Sequence, residues 1–302
     1  SSLFGQTQYQ SNGNVNFVDP NNWEIFIGFW SNAVTAPDYL DGDITIRAGH
    51  IATVSSTVTL DQLLVEGGAT LFVEAGYTLT INNGTAVWDL SVRGTFNNYG
   101  TVSSASAGIR FIAASVYNHR RNGGDIPNAL WNTASDCNVT GVTDTSPTGL
   151  DQTFGNFTWN CTGQTTNVYM QSNITIASDF NVTATTPGDY DPSGSALRMS
   201  NTATGYTITV SGDMFIDNNA SFKMNNSTGS CVLNIGEALL LNSGAYCIVT
   251  GGASSTLSVA GDVIIAGGTM IMHEDGSATT ATWNIGGDFT FSSGTIVDNG
   301  GG

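Results

Sequence analysis

A segment of about 25 residues recurs four times in the second half of the chain. Each copy has an apolar residue, a pair that contains glycine, and then a second apolar run; the copies are 209–216, 234–241, 258–265 and 284–291. The first apolar residues of the copies are spaced 25, 24 and 26 residues apart: Val210, Ile235, Val259 and Ile285. A period of this length indicates a repeat architecture whose units stack on one another.

A second marker gives the same three spacings. It is the residue that follows the polar turn of each copy: Ala220, Ala245, Thr269 and Thr295. We therefore expect one period to hold at two separate points of every unit.

The residues within each copy alternate between apolar and polar, as in Tyr206–Val210 and Ser255–Val259. This period of two is typical of strands with one buried face. A unit with two or three short strands cannot bury that face alone, whereas stacking at about 4.8 Å pairs each backbone with the next turn. The sequence predicts an all-β fold, a right-handed parallel β-helix (solenoid) with 24–26-residue turns and loop excursions. Leucine-rich repeats and propellers have other patterns or longer periods.

The first half of the chain has a weaker form of the same pattern. We predict four sections. Residues 1–42 are an N-terminal segment that acts as a cap or an assembly strand, and 43–112 are a first β-helix section. Residues 113–153 are a loop-rich excursion or junction, and 154–302 are a second β-helix section without a cap at its end.

The composition disfavours several classes of partner and chemistry. Only seven Lys and Arg stand against 24 Asp and Glu, so the formal net charge is −17 and polyanions such as nucleic acid are repelled. No run approaches the roughly 20 apolar residues of a membrane span. The first residues have no basic region before an apolar run, which is expected after removal of a signal peptide.

Four cysteines suit an oxidising compartment, although buried free thiols are the equal alternative. Cys137 and Cys161 are 24 residues apart, about one turn, and Cys231 and Cys247 lie within one turn and its neighbour. If disulfides form, these spacings predict the pairs Cys137–Cys161 and Cys231–Cys247.

Several strings resemble secreted β-helical surface proteins of Bacteroidetes-type bacteria. They are Asn22-Trp23, the run from Asp41 to His50, the run from Gly94 to Thr101, and the run from Phe154 to Asn160. The resemblance covers about two thirds of the chain. It implies an exported adhesin-like or filament-like protein, often carried by type IX secretion, although the C-terminal sorting domain of that group is not visible in this sequence.

Acidic residues provide the candidate metal ligands. Asp38, Asp41 and Asp43 cluster within six residues, and oxygen-rich clusters suit Ca²⁺. The alternative is a solvated acidic turn, since no complete Asp-x-Asp-x-Asp-Gly loop is present. Asp189 and Asp191 allow the same two interpretations. We expect no cofactor other than calcium.

Two further acidic groups have competing interpretations. His273, Glu274 and Asp275 suit a metal or acid–base group, but neighbours on a strand point in different directions, which favours a charged corner. Carboxylates also recur at or near matching repeat positions: Asp213, Glu237, Asp262 and Asp288. Either they form a column that binds cations or a sugar, or they recur only because the scaffold repeats.

The leading hypothesis is a secreted structural or adhesive protein of the cell surface or an appendage, which assembles with itself head to tail or by strand complementation and performs no catalysis. A carbohydrate-binding module is the second hypothesis, because six tryptophans are available to stack on surface glycans. A polysaccharide lyase or glycosidase is the third, because β-helices often support such enzymes. Basic groups for holding a uronate are scarce, which makes the enzyme the weakest of the three.

Overall fold

The computed structural model describes residues 7–104, 106–185, 195–217, 220–225, 228–274 and 279–299. Within these ranges the chain forms strands and turns and no helix, so nothing in the described part is a helix long and apolar enough to cross a membrane. The chain divides into two compact units, Ser1–Cys137 and Asn138–Gly302. Both units are built from stacked parallel strands, which confirms the prediction of an all-β parallel solenoid.

Unit 1 contains sixteen short strands among its described residues. They are β1 (Tyr9–Ser11), β2 (Val15–Asn16), β3 (Trp23–Phe26), β4 (Trp30–Asn32), β5 (Ile44–Ile46), β6 (Ile51–Val54), β7 (Val58–Leu60), β8 (Leu63–Val65), β9 (Thr70–Val73), β10 (Thr78–Ile81), β11 (Leu90–Val92), β12 (Thr95–Asn98), β13 (Thr101–Ser103), β14 (Ile109–Phe111), β15 (Val116–His119) and β16 (Leu130–Trp131). A further strand, β17 (Asp136–Val139), crosses the division between the units.

These strands form three rows, one for each side of the coil. The first row is the eight-stranded sheet β16-β14-β11-β8-β5-β1-β3-β4, the second contains β2-β6-β9-β12-β15, and the third is β13-β10-β7. Pairing is parallel except at β3, which runs antiparallel to both β1 and β4. The alternation in the sequence places one side chain in two inside the coil, where rows of aligned apolar residues form the core, such as Ile44, Leu63, Leu90 and Ile109.

The turns of unit 1 differ in length from the predicted 24–26 residues. Ile44 pairs with Leu63, which pairs with Leu90, which pairs with Ile109, so the steps are 19, 27 and 19 residues. The strands keep a constant geometry and the corners absorb the difference. This variation explains why the repeat is weak in the first half of the sequence.

Strands also occur outside the two predicted β-helix sections. In the segment 1–42, β1 and β2 pair in parallel with β5 and β6 and form a turn of the coil, and β3 and β4 follow as an antiparallel hairpin. In the segment 113–153, β15 and β16 continue two rows of unit 1. The division between the units falls inside this second segment.

Unit 2 repeats the plan with longer turns. Its strands are β18 (Thr153–Phe154), β19 (Asn156–Asn160), β20 (Val168–Tyr169), β21 (Ile174–Ile176), β22 (Phe180–Ala184), β23 (Leu197–Ser200), β24 (Thr207–Val210), β25 (Met214–Ile216), β26 (Ser221–Asn225), β27 (Val232–Ile235), β28 (Leu239–Leu241), β29 (Tyr246–Thr250), β30 (Ser255–Val259), β31 (Val263–His273), β32 (Ala281–Ile285) and β33 (Phe289–Val297). The described strands of unit 2 pair in parallel. The rows are β18-β21-β24-β27-β30-β32, β19-β22-β25-β28-β31 and β20-β23-β26-β29-β31, with β33 on β31.

The register of unit 2 confirms the first marker of the repeat. Val210 lies opposite Ile235, Ile235 opposite Val259, and Val259 opposite Ile285. The second marker is wrong by one residue at one step, because Thr269 lies opposite Tyr246 and not Ala245. The corner between the two halves of β31 is one residue shorter than the corresponding corner between β28 and β29. Alignment of the two turns by sequence alone does not reveal this difference in length.

Candidate functional surfaces

Most corners in unit 2 carry an aspartate immediately before the second strand of the turn. Asp179 Oδ1 accepts a hydrogen bond from the backbone N–H of Asp213 at 3.0 Å. Asp213 Oδ1 accepts one from the N–H of Ala238 at 2.8 Å, and Asp262 Oδ1 one from the N–H of Asp288 at 2.8 Å. Each carboxylate therefore binds the backbone of the next turn, which gives the column a structural role.

The expected membership of this column needs two corrections. Ala238 occupies the position between Asp213 and Asp262, because Leu239 follows it in register with Met214, and Glu237 lies one residue earlier. Asp179 belongs to the column and was missed. It precedes its partner by 34 residues, since the turn between them contains a long excursion, and a search at a period of 25 does not reach it.

The acidic segment near residue 40 is a hydrogen-bonded turn. Asp41 Oδ2 accepts from the N–H of Asp38 at 2.9 Å, and Asp38 Oδ1 accepts from the N–H of Leu40 at 2.7 Å. The pKa of Asp41 is raised, mainly because burial disfavours the charged carboxylate. A backbone hydrogen bond at Asp38 lowers the pKa, and the Asp38 carboxylate raises it. Asp43 is exposed. In the part of the chain that the structure describes, no three His, Cys, Asp or Glu side chains gather as a metal-binding group. Calcium binding here stays a prediction.

His273 and Glu274 face different partners. His273 Nδ1 lies 2.7 Å from Asp298 Oδ1, whereas Glu274 forms an ion pair with the buried Lys223. The third member of the predicted group, Asp275, lies outside the described residues, as do Asp189 and Asp191. The two described side chains do not converge on a common point.

Two cations are buried side by side on strands β23 and β26. Arg198 lies opposite Lys223 in the register, and both side chains are buried. Burial lowers the pKa of Arg198, while Tyr169 and Glu274 raise it. The Arg198 guanidinium also lies 5.9 Å from the centre of the Tyr169 ring. Buried cations in an acidic chain were not anticipated from the sequence, since nothing in the local pattern separates them from outward strand residues.

All four cysteines are buried free thiols in the structure. Burial raises the pKa of each, to about 12 for Cys161 and Cys247. A thiol with a raised pKa is a poor nucleophile and a poor metal ligand at neutral pH. The predicted disulfide pairs stay predictions.

Three of the six tryptophans are buried and not available to stack on a ligand, and Trp283 is half-buried. Trp23, Trp131 and Trp159 are buried, and Trp159 Nε1 donates to Gln164 Oε1 at 3.0 Å. Trp30 is 39% exposed and Trp88 is half-buried. The sequence could not separate the two groups, because tryptophan occurs both inside and outside a coil.

Four exposed apolar side chains lie together on the hairpin of β3 and β4. Phe26 is 43% exposed, Ile27 60%, Phe29 65% and Trp30 39%. The rings of Phe26 and Trp30 are 5.3 Å apart and tilted against each other. Apolar side chains grouped in this way on a surface are typical of a contact site. We call Phe26, Ile27, Phe29 and Trp30 the hairpin patch.

The hairpin is anchored on its inner side. Trp23 is buried, with its ring 5.3 Å from Phe17 and 6.5 Å from Tyr9, and its Nε1 donates to the carbonyl of Asn16 at 3.2 Å. The tip is closed by a bond from the N–H of Ile27 to the carbonyl of Phe29 at 3.1 Å. Gly28 between them has φ = 95°, a conformation that glycine adopts without strain. The buried contacts of Trp23 and the closed tip therefore hold the hairpin patch in a defined conformation on the surface.

The outer strand of the hairpin, β4, is the last strand of the eight-stranded sheet. An edge strand offers backbone N–H and C=O groups for pairing with another chain. The hairpin thus combines an edge of backbone hydrogen-bonding groups with a group of aromatic side chains. This combination suits protein–protein contact by strand addition.

Comparison of the chain with models of known protein families, with curated protein sequences and with solved structures found no match. The strand pairing alone defines the class of the chain, which is the parallel β-solenoid.

Proposed function

We propose that this chain is a non-catalytic structural or adhesive module of a secreted surface or appendage protein, and that the hairpin patch joins it to a second copy of itself. The observation that carries the proposal is the exposed aromatic hairpin at the edge of an otherwise well-packed coil. The resemblance to exported bacterial surface proteins supports the extracellular assignment.

The apolar area of the patch supplies the driving force. Each of the four side chains leaves 39–65% of its surface in water. Removing apolar surface from water contributes about 25 cal/mol per Å². An aromatic pair such as Phe26 and Trp30 is also typical of the residues that dominate contact energies.

The edge strand supplies the reason for choosing a second copy as the partner. Two identical edge strands can pair antiparallel about a two-fold axis, so that each copy offers and receives the same groups. β3 and β4 already pair antiparallel, and a second β4 continues that sheet without a change of geometry. The same surface then serves both copies.

Analytical ultracentrifugation over a range of concentrations, with electron microscopy of the same samples, tests the proposal. We expect the wild-type chain to form dimers, because a two-fold contact closes on itself. The double variant Ile27→Ser, Phe29→Ser removes exposed apolar groups at the tip and is expected to shift the chain towards monomer.

The control variant is Val87→Ser, which removes an apolar side chain that is 78% exposed in the same unit but outside the hairpin. We expect it to associate as the wild type does. A wild-type chain that stays monomeric at high concentration contradicts the proposal, as does a hairpin variant whose association is unchanged.

A further inference from the structure

Two arginines, Arg93 and Arg110, lie close together on the eight-stranded sheet of unit 1. The register places Ser91 of β11 next to Arg110 of β14 and next to Leu64 of β8, with Thr45 of β5 beyond Leu64. Arg93 follows directly after β11, in the corner before Gly94, and lines the same pocket as Arg110. Both arginines therefore stand on one outer face of the coil.

The guanidinium of Arg110 is held in place by two contacts. Its Nε donates to Ser91 Oγ at 2.8 Å. Its Cζ lies 5.2 Å from the centre of the Trp88 ring, a cation–π distance. These contacts use one of the five N–H donors of the group and one of its faces, so four N–H donors are not engaged by them.

Neither arginine is neutralised by the protein. Across the described ranges, no carboxylate lies within the 4.0 Å ion-pair distance of Arg93 or Arg110, although the chain has 24 acidic residues for seven basic ones. Glu66 Oε2 accepts a hydrogen bond from the N–H of Ala48 at 2.9 Å. None of the described arginines forms an ion pair with a carboxylate, so Arg93 and Arg110 are distinguished by their place in one pocket and not by the lack of a partner.

The two arginines line a pocket of about 250 Å³. Its other polar and aromatic walls are Asp43, Thr45, Gln62, Ser91 and Trp88. A second hollow of about 540 Å³ begins at the same two arginines and continues along the sheet. The pocket has the size of a single sugar ring, and the second hollow extends the site in one direction.

We propose that this pocket binds a uronic-acid residue of a glycan. Arg93 and Arg110 bind the carboxylate, because a planar guanidinium matches a carboxylate with two parallel hydrogen bonds. The hydroxyls of Ser91 and Thr45 and the amide of Gln62 bind ring hydroxyls, and the indole of Trp88 provides an apolar wall. Asp43, which also lines the pocket, accepts from a ring hydroxyl, so the uronate carboxylate is oriented towards the two arginines and away from Asp43. The site is separate from the hairpin patch, so it goes beyond the proposed function and stands or falls independently of it.

The lining favours a sugar acid over an inorganic anion. Phosphate or acetate uses the guanidinium groups alone, whereas a uronate also uses the hydroxyl, amide and indole groups of the walls. The net charge of −17 repels long acidic polymers. The site is therefore suited to a single uronate or a short segment of an acidic glycan.

Isothermal titration calorimetry with α-1,4-linked trigalacturonic acid tests the site on the whole chain. We expect saturable binding, at least tenfold weaker binding of the methyl-esterified trimer, and competition by the free trimer but not by equal concentrations of inorganic phosphate or acetate. Arg93→Gln changes an exposed side chain and is expected to weaken binding about tenfold. Arg110→Gln is expected to do the same, with the fold checked by circular dichroism.

The matched control is Arg120→Gln. Arg120 is an exposed arginine of the same unit that lies 5.8 Å from the ring of Tyr99, and it does not line the pocket. The substitution Arg120→Gln removes a positive charge and a cation–π contact, as Arg110→Gln does. We expect it to leave binding unchanged. Equal binding of ester and acid, equal competition by phosphate, an equal effect of Arg120→Gln, or no binding at millimolar trimer overturns the proposal.

Discussion

The corner aspartates of unit 2 tie each turn to the next through a single hydrogen bond to the backbone. Asp213 is the clearest case, since its Oδ1 lies 2.8 Å from the N–H of Ala238. We expect Asp213→Ala to lower the free energy of unfolding by about 1 kcal/mol, because a backbone donor loses its acceptor. Urea denaturation followed by circular dichroism measures the difference. An unchanged midpoint contradicts the structural role of the column.

Ala238 provides the converse experiment. It occupies a column position and lacks the side-chain oxygen with which Asp179, Asp213 and Asp262 hold the following turn. Ala238→Asn restores a neutral acceptor without adding a carboxylate between two others. We expect the variant to be more stable than the wild type by roughly 0.5 kcal/mol in the same urea experiment. Destabilisation indicates that the column does not favour an acceptor at this corner.

His119 lies inside unit 1, in a row where the apolar residue of an earlier turn is replaced by polar side chains in the next two turns. Val73 of β9 lies opposite Asn98 of β12, which lies opposite His119 of β15. Asn98 Nδ2 donates to the Tyr117 hydroxyl at 3.0 Å, and His119 Nε2 lies 2.8 Å from the carbonyl of Gly123. Burial lowers the pKa of His119 to about 4, although the hydrogen bond to the Gly123 carbonyl raises it. Arg121 lowers the pKa further and Asp125 raises it.

This pKa makes the stability of the protein depend on pH. An unfolded histidine takes up its proton near pH 6.5, so between 6.5 and about 4 the unfolded state binds more protons than the folded one. Stability therefore falls as the pH drops through this window, by roughly 3 kcal/mol from this group, and the effect is complete below about 4. We expect His119→Gln to lose less stability than the wild type over the same window, measured by urea denaturation at pH 6.5 and pH 4. Equal losses contradict the assigned pKa.

The corners between strands hold adjacent turns in close contact, and Gly94 between β11 and β12 shows this directly. A Cβ at Gly94 would overlap the carbonyl oxygens of Ala69 and Glu66 in the turn below. We expect Gly94→Ala to destabilise the protein by roughly 1–3 kcal/mol, because two backbone segments must move apart. Thermal unfolding measures the effect.

Gly67→Ala is the matched control. A Cβ at Gly67 meets only the carbonyl oxygen of Arg93 at 4.0 Å, an ordinary contact distance, and its φ is not in the left-handed region. We expect its melting temperature to stay close to that of the wild type. Similar losses for both glycine variants show that the corner contacts do not decide stability.

At the level of elements, the sequence predicts strands well and corners poorly. Alternation reports which side chains face inside, and the marker from Val210 to Ile285 therefore gives the correct register. Corners carry no such alternation. Their length changes by a residue or more at β31 and throughout unit 1, and the hairpin of β3 and β4 has no counterpart in the repeat.

The candidate sites were less predictable for a related reason. The hairpin patch and the arginine pocket depend on which strand lies at a sheet edge and which outward residues share a row. Arg93 and Arg110 are separated by 17 residues and become neighbours only through the register of β11 and β14. An irregular turn length in unit 1 conceals that proximity.

At the scale of the whole molecule, the charge of −17 opposes association. Copies that meet through the hairpin patch bring two acidic chains together, and salt screens their repulsion while leaving apolar contact intact. We expect the dissociation constant measured by ultracentrifugation to fall severalfold between 50 mM and 500 mM sodium chloride. Weaker association at high salt indicates that ion pairs, and not the apolar patch, hold the copies together.

The central claim is that the turns lie in register on one another, and disulfide trapping between engineered cysteines tests it most directly. Thr209 lies opposite Asn234 on the outer face, whereas Val232 lies opposite Thr207. Facing positions on adjacent strands come within the range that a disulfide spans. We predict rapid cross-linking of Thr209→Cys with Asn234→Cys under mild oxidation, and much slower cross-linking of Thr209→Cys with Val232→Cys. Equal rates, or faster reaction of the second pair, contradict the stacked register.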